Sequence, residues 1–184
     1  MEQLPDRIRQ CRTTGEVEAA FREDRSAAIL TIENGAALGG KMDNLERMAG
    51  YGVKIITLTW NAENEIGGGS QSEVGLKPFG REIIRRMEEL KVAVDVSHLN
   101  DKTFWELAKF TRKPILATHS NSRAVCPHAR NLTDDQLRAI VQTGGIVGLN
   151  YYVHFLREDG EVTCYDGMLR HIDHLLNVGG EGFL

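Results

Sequence analysis

Three residues in this sequence have side chains and positions suited to holding a metal ion. Glu33, His98 and His119 each close a short apolar run: AAILTIE (27–33), VAVDVSH (92–98) and PILATH (114–119). In parallel α/β folds the carboxyl ends of the strands converge on one site. A carboxylate and two imidazoles gathered there make a zinc site of ordinary ligand chemistry. An ion with an open position lowers the pKa of a water towards neutrality and so supplies a hydroxide nucleophile. Trp60 with Asn61, and Asn150, stand at the ends of the two remaining runs, KIITLTW (54–60) and GIVGLNYY (145–152). Each residue also has a plainer role open to it. A histidine at a strand end can simply be hydrogen-bonded, and Glu33 can cap the backbone that follows it.

The elements that must position these residues read as five strands alternating with helices. Near-continuous apolar runs are what a parallel sheet covered on both faces requires. Helices are expected over 41–51 and 79–90, from Asn100 or Asp101 onwards, and over about 165–177. A further helix is capped at Thr133, with Gln136 completing a capping box. Ahead of the first run, 4–25 reads as helix broken near Thr13–Gly15. The fold class is therefore α/β, either a doubly wound sheet or a (β/α) barrel. The glycines of IGGGS (66–70) lack the Lys-Ser/Thr of a phosphate loop.

Composition narrows the function classes. Hydrophobic residues make up 41% and charged residues 26% of 184, an ordinary globular balance. A net charge of −4 argues against a nucleic-acid partner. No apolar run approaches the ~20 residues that span a bilayer, and the first residues carry no secretory h-region. Cys11, Cys126 and Cys164 are too few and too scattered for a disulfide framework, so a cytoplasmic location is expected.

Several segments, taken together, resemble the membrane (renal) dipeptidase family, zinc peptidases of the M19 type, and its bacterial branch in particular. They are LTIENG (30–35), ITLTWN (56–61), GLKPFGREIIRRM (75–87), VDVSH (94–98), PILATHSNSRAVCPHARNLTDDQL (114–137) and VGLNYY (147–152). The resemblance implies a (β/α)8 TIM barrel of the metallo-dependent hydrolase type, of which this chain carries about five consecutive βα units. It implies zinc as cofactor, with two ions in the family. Glu33 is then the bridging carboxylate, and His98 and His119 are ligands of one ion. Arg130, in HARN, falls at the arginine that grips the free carboxylate of a dipeptide, a task suited to a guanidinium fork. Trp60, Asn150 and Tyr152 are placed to line the substrate pocket, although Asn150 and Tyr152 could equally finish a strand. The implied activity is hydrolysis of dipeptides by a metal-bound hydroxide, with a possible homodimer.

Three departures qualify that expectation. No His-x-Asp precedes Glu33, the family's GSDFDG-like aspartate motif is absent, and Trp60 stands where some members carry histidine. Bacterial relatives can carry tryptophan there. Residues 1–184 are thus expected to form a single catalytic-domain fragment lacking the first strands and the last. At most one ion is expected to be well held, no catalytic residue is assigned, and little turnover is expected from the isolated chain. A non-catalytic pseudoenzyme or assembly module of the same fold is the alternative, and so is an amidohydrolase-like barrel acting on another amide. His171 and His174 are expected in surface or packing roles. His128 and His154 lie near the site without being ligands, and Cys126 is expected as a small buried residue.

Overall fold

The computed structural model describes residues 6–157 and 164–183. The strands are β1 (Ile8–Gln10), β2 (Ser26–Ala28), β3 (Leu30–Glu33), β4 (Val53–Thr57), β5 (Ala93–Asp95) and β6 (Ile115–Leu116). The helices are α1 (Thr14–Arg22), α2 (Met42–Tyr51), α3 (Pro78–Glu89), α4 (Asp101–Ala108), α5 (Asp134–Gln142), α6 (Val153–Leu156) and α7 (Cys164–Gly179). All strand pairing is parallel. β3, β4, β5 and β6 form one sheet in that order, and β1 pairs with β2 in a second.

The helices cover one face of the main sheet. In α3, Ile83, Ile84 and Met87 are fully buried, consistent with their helical spacing. Phe104 and Leu107 of α4 and Leu137 and Ile140 of α5 join the same core as Ile56, Val94 and Ile115. Each such side chain contributes about 1.5–3 kcal/mol through burial. The anticipated caps form: Asn100 Oδ1 accepts from Thr103 N at 2.7 Å, and Thr133 with Gln136 makes a reciprocal capping box. Among the described residues, no helix is long and apolar enough to cross a membrane.

Four sequence expectations are corrected. The stretch read as helix over 4–25 contains β1, with Leu4 and Pro5 outside the described residues, and helix begins only at Thr14. Thr13 is not a breaker but a cap, paired with Glu16 in a capping box. The run 27–33 is two strands, because Ala28 follows β1 and Leu30 follows β4 into different sheets. The run 145–152 forms no strand. It makes a single parallel bridge, Val147 to Ala117, so Asn150 and Tyr152 lie on loop and helix cap rather than at a strand end. Gly145 and Gly148 press against the Ile115 and Thr118 carbonyls too closely for a Cβ, which holds the segment alongside β6 without a regular ladder.

The face of the sheet opposite the helices carries Thr31 and Glu33 of β3, Ile55 and Thr57 of β4 and Asp95 of β5. With Thr118 and His119 these residues line a cavity of about 170 Å³.

Candidate metal centre at the strand ends

Glu33 is the last residue of β3, and the chain turns sharply after it. Asn34 adopts φ +78°, and its Oδ1 accepts from Ala36 N at 3.1 Å and from Asn64 Nδ2 at 3.1 Å. The backbone after Glu33 is therefore capped by Asn34, which leaves the Glu33 carboxylate to face the site. A Cβ at Gly35 would strike Ile66 and the Leu58 carbonyl, so only glycine lets this turn pack on β4.

His98 follows β5 by three residues and also has a positive φ, +75°. A left-handed backbone at histidine is uncommon and is held only by strong surroundings. Here Leu99 N donates to Val96 O at 3.0 Å, and the ring is held by Asn61, whose Oδ1 lies 2.9 Å from Nδ1. Asn61 is fixed in turn by the glycine loop: Gln71 N donates to Asn61 O at 2.8 Å, and Gly69 packs on the Trp60 carbonyl where a Cβ would clash. The IGGGS glycines thus serve close backbone approach.

His119 follows β6, and its N–H donates to Ser97 Oγ at 3.1 Å. Its Nε2 lies 2.9 Å from His98 Nε2, while Glu33 Oε1 is 3.2 Å from His98 Nε2 and 3.6 Å from His119 Nε2. Burial first, and the Arg130 charge next, push the His98 pKa down to about 3. The His119 pKa is also lowered, chiefly by burial, against the pull of Asp95 and Glu33. Both rings are neutral at pH 7, so their contacts with Glu33 are not ion pairs. A histidine tautomer is set by the partner of its other nitrogen. The Asn61 oxygen accepts from His98 Nδ1–H, which leaves Nε2 with a lone pair aimed at the site.

Asp95 was not singled out in the sequence, yet it is central to the geometry. It is fully buried beneath the histidines. Its Oδ2 accepts from Thr57 Oγ1 and Thr118 Oγ1, both at 2.6 Å, and its Oδ1 accepts from Ser97 N and Thr118 N, both at 3.0 Å. The signal was present, since a lone carboxylate inside the apolar run VAVDV is an informative oddity.

Arg130 is 5% exposed and its guanidinium lies 5.5 Å over the Phe155 ring. It makes one long hydrogen bond, to His119 O at 3.4 Å, and its Nε is buried without a partner. Burial lowers its pKa to about 10, so it stays charged at neutral pH. Trp60 is half exposed, its ring 5.9 Å from that of His98. Asn150 connects to the same loop: its N–H donates to Asn121 Oδ1 at 2.9 Å and its Nδ2 reaches His119 O at 3.5 Å. Tyr152 is exposed, with its ring 4.9 Å from that of Phe155. His128 Nδ1 accepts from Arg130 N at 3.1 Å.

His171 is buried and packs as a bracket: Nδ1 accepts from Ser122 N at 3.1 Å and Nε2 reaches Leu156 O at 3.2 Å. His174 pairs with Asp134 at 2.8 Å. Cys126 is buried, its Sγ 3.5 Å from His154 O. A larger cavity of about 400 Å³ lies at the amino ends of β5 and β6, lined by Val92, Val94, Pro114 and Leu116, and contains none of the candidate ligands.

A parallel α/β sheet with its ligand-type side chains at the carboxyl ends of the strands is the arrangement of hydrolases built on the (β/α)8 barrel. Within that class the assignment is specific: the model of the membrane dipeptidase family (peptidase family M19) matches residues 1–184, and the chain belongs to this family. A metallopeptidase from Rhodobacter sphaeroides, solved with a phosphinate mimic of the dipeptide L-Ala-D-Ala, is 35% identical with a TM-score of 0.92. The match covers 98% of this chain and 54% of that one. A solved dipeptidase of family M19 is 34% identical with a TM-score of 0.92, over 98% and 56% of the two chains. An uncharacterised protein encoded in the pqqA 5′ region of Klebsiella pneumoniae is 39% identical over 187 residues, 95% of this chain and 69% of that protein. The chain thus spans just over half the length of the solved relatives it matches.

Proposed function

We propose that this chain is the metal-binding and substrate-anchoring part of a zinc-dependent dipeptidase, a catalytic-domain fragment that holds one ion through Glu33, His98 and His119. The observation that supports this reading most is the set of facing ligand atoms. Two imidazole nitrogens and a carboxylate oxygen lie 2.9–3.6 Å apart. With both rings neutral, lone pairs crowd one another there unless a cation lies between them. Nitrogen ligands at about 2.0–2.1 Å from a tetrahedral zinc sit about 3.3 Å apart, so the pair needs to open only slightly. A bound zinc ion would supply Lewis acidity towards a carbonyl oxygen and lower the pKa of a water.

The chain's own residues supply binding and orientation. Arg130 receives the free carboxylate of the dipeptide. Its buried charge lacks a carboxylate partner among the described residues, and its Nε lacks any acceptor. An arriving carboxylate satisfies both deficits through a fork of charge-assisted hydrogen bonds. Trp60 walls the site beside His98, and Asn150 and Tyr152 line the side nearer Arg130. No residue of the chain is assigned proton transfer, so slow turnover or none is expected of residues 1–184 alone.

Elemental analysis after zinc loading and removal of loose ions tests the reading. Roughly one zinc per chain is expected from a three-ligand site. Zinc-free protein, or zinc retained when Glu33, His98 and His119 are each replaced, overturns it. Binding of dipeptides with and without a free C-terminal carboxylate tests the Arg130 assignment. Equal affinity for both favours the amidohydrolase-like alternative.

A further inference from the structure

Asp95, Thr118 and His119 form a chain of contacts that sets which nitrogen of His119 is free. Thr118 Oγ1 lies 2.6 Å from Asp95 Oδ2 and 2.8 Å from His119 Nδ1. A hydroxyl has one proton to give. All four contacts at Asp95 come from donors, so the group is fully satisfied as a carboxylate, and the Thr118 proton goes to it. The Thr118 oxygen is then left as an acceptor for His119 Nδ1–H, and this draws the proton of the neutral ring to Nδ1 against the competing 2.9 Å contact of the two Nε2 atoms. The Nε2 lone pair is thereby turned towards His98 and Glu33.

We infer that Asp95 is a positioning residue that fixes the metal-binding tautomer of His119 through the Thr118 hydroxyl. This rests on the reading of His119 as a metal ligand. Asp95 touches neither ion nor substrate. It acts two contacts away, from beneath the sheet end, and Asn61 performs the equivalent service for His98 directly. An outer carboxylate or carbonyl of this kind orients a ligating imidazole and raises its basicity, and its loss typically weakens metal binding about 10- to 100-fold.

The arrangement predicts a reversal. In Asp95→Asn, the amide oxygen keeps the two backbone donors, Ser97 N and Thr118 N. The amide NH2 then faces Thr57 and Thr118 as a donor. Thr118 accepts from it and turns its own proton onto His119 Nδ1, which forces the ring proton to Nε2. Asp95 also ties β4 and β5 to the segment that follows β6, so Thr118→Val is the companion variant. It removes one hydroxyl at the cavity lining and leaves the carboxylate with three donors.

The experiment uses residues 1–184 with two readouts: the 15N shifts of the His119 imidazole without metal, and zinc affinity by competition with a chelator. The parent carries a larger share of the His119 proton on Nδ1 than Thr118→Val does. Thr118→Val moves that share to Nε2 and weakens zinc binding about 10- to 100-fold. Thr118→Ser restores both. Parent-like affinity with Nδ1 still protonated in Thr118→Val overturns the inference. Weaker zinc binding without a tautomer change overturns it too, because the loss then arises elsewhere. A parent that binds no zinc defeats the metal reading alone. The tautomer comparison still decides the relay, because it needs no metal.

Discussion

The floor of the site and the pocket beside it are built on opposite terms. Beneath the histidines, Asp95 is fully buried and receives four hydrogen bonds from three successive stretches of chain. Around Arg130 the charge is equally hidden, but it holds a single long contact and an unpartnered Nε. An uncompensated buried charge is destabilising, whereas a carboxylate taking several donors is not. The floor is complete before any ligand arrives, and the Arg130 pocket is completed by one. The ion site is pre-organised from below, and the anchor waits for a counter-charge.

The comparison can be broken most decisively at the ligands. Glu33→Gln is expected to take zinc content from roughly one per chain to near zero, because the charged oxygen between two neutral imidazoles is lost. Unchanged stoichiometry rules that role out. The next effect is at Arg130. Arg130→Met removes an unsatisfied charge while keeping an apolar stem over Phe155, so folding stability in urea is unchanged or rises by about 1 kcal/mol. Affinity for a ligand with a free carboxylate falls about 10- to 150-fold, the worth of one or two charge-assisted hydrogen bonds. A large loss of stability would show that the arginine is structural.

A pH series separates the two regions more finely. The His171 pKa is lowered, mainly by burial, and this ring ties the Arg130 loop to α6 and α7. The folded chain then takes up its proton later than the unfolded chain does. Stability is full above pH 6.5 and declines as pH falls below that value, by at most about 1.4 kcal/mol per pH unit per group. His98, lowered to about 3, adds to the loss in the same direction down to that pH. Urea midpoints of metal-free protein at pH 7 and pH 5 check this, and an unchanged midpoint contradicts it. The smallest effect belongs to His174. His174→Asn loses a partly exposed contact with Asp134 and is expected to shift stability by about 1 kcal/mol or less, with zinc content unaltered.

Much of this architecture was legible because apolar runs and strand ends are written in residue types. Glu33, His98 and His119 were found as the polar residues that close such runs, and the caps at Asn100 and Thr133 followed from local chemistry. What was missed depended on partners distant in sequence. The stretch Arg7–Gln10 has a single apolar residue, too few to separate strand from helix, and only the pairing of Ile8–Gln10 with Ser26–Ala28 decides it. The split at Ile29 follows from two different neighbours, not from any break in composition. GIVGLNYY has the look of a strand, yet its glycines serve contact with β6 rather than a ladder of their own. Asp95 showed a polar residue in an apolar run, but not the two threonines that give it a purpose.

Asp95 carries one more implication, for how the sheet finds its alignment. It is the register partner of Thr57 on one side and of Leu116 on the other. A slip of one residue in β5 would turn the carboxylate onto the helix-covered face, where Val94 and Val96 now sit, with no donors to receive it. Misalignment is thus penalised by a stranded charge as well as by lost apolar contacts. The side chain that prepares His119 for a metal also proofreads the register of β5, so the alignment that seats the carboxylate among its donors is the one that sets out the ligands.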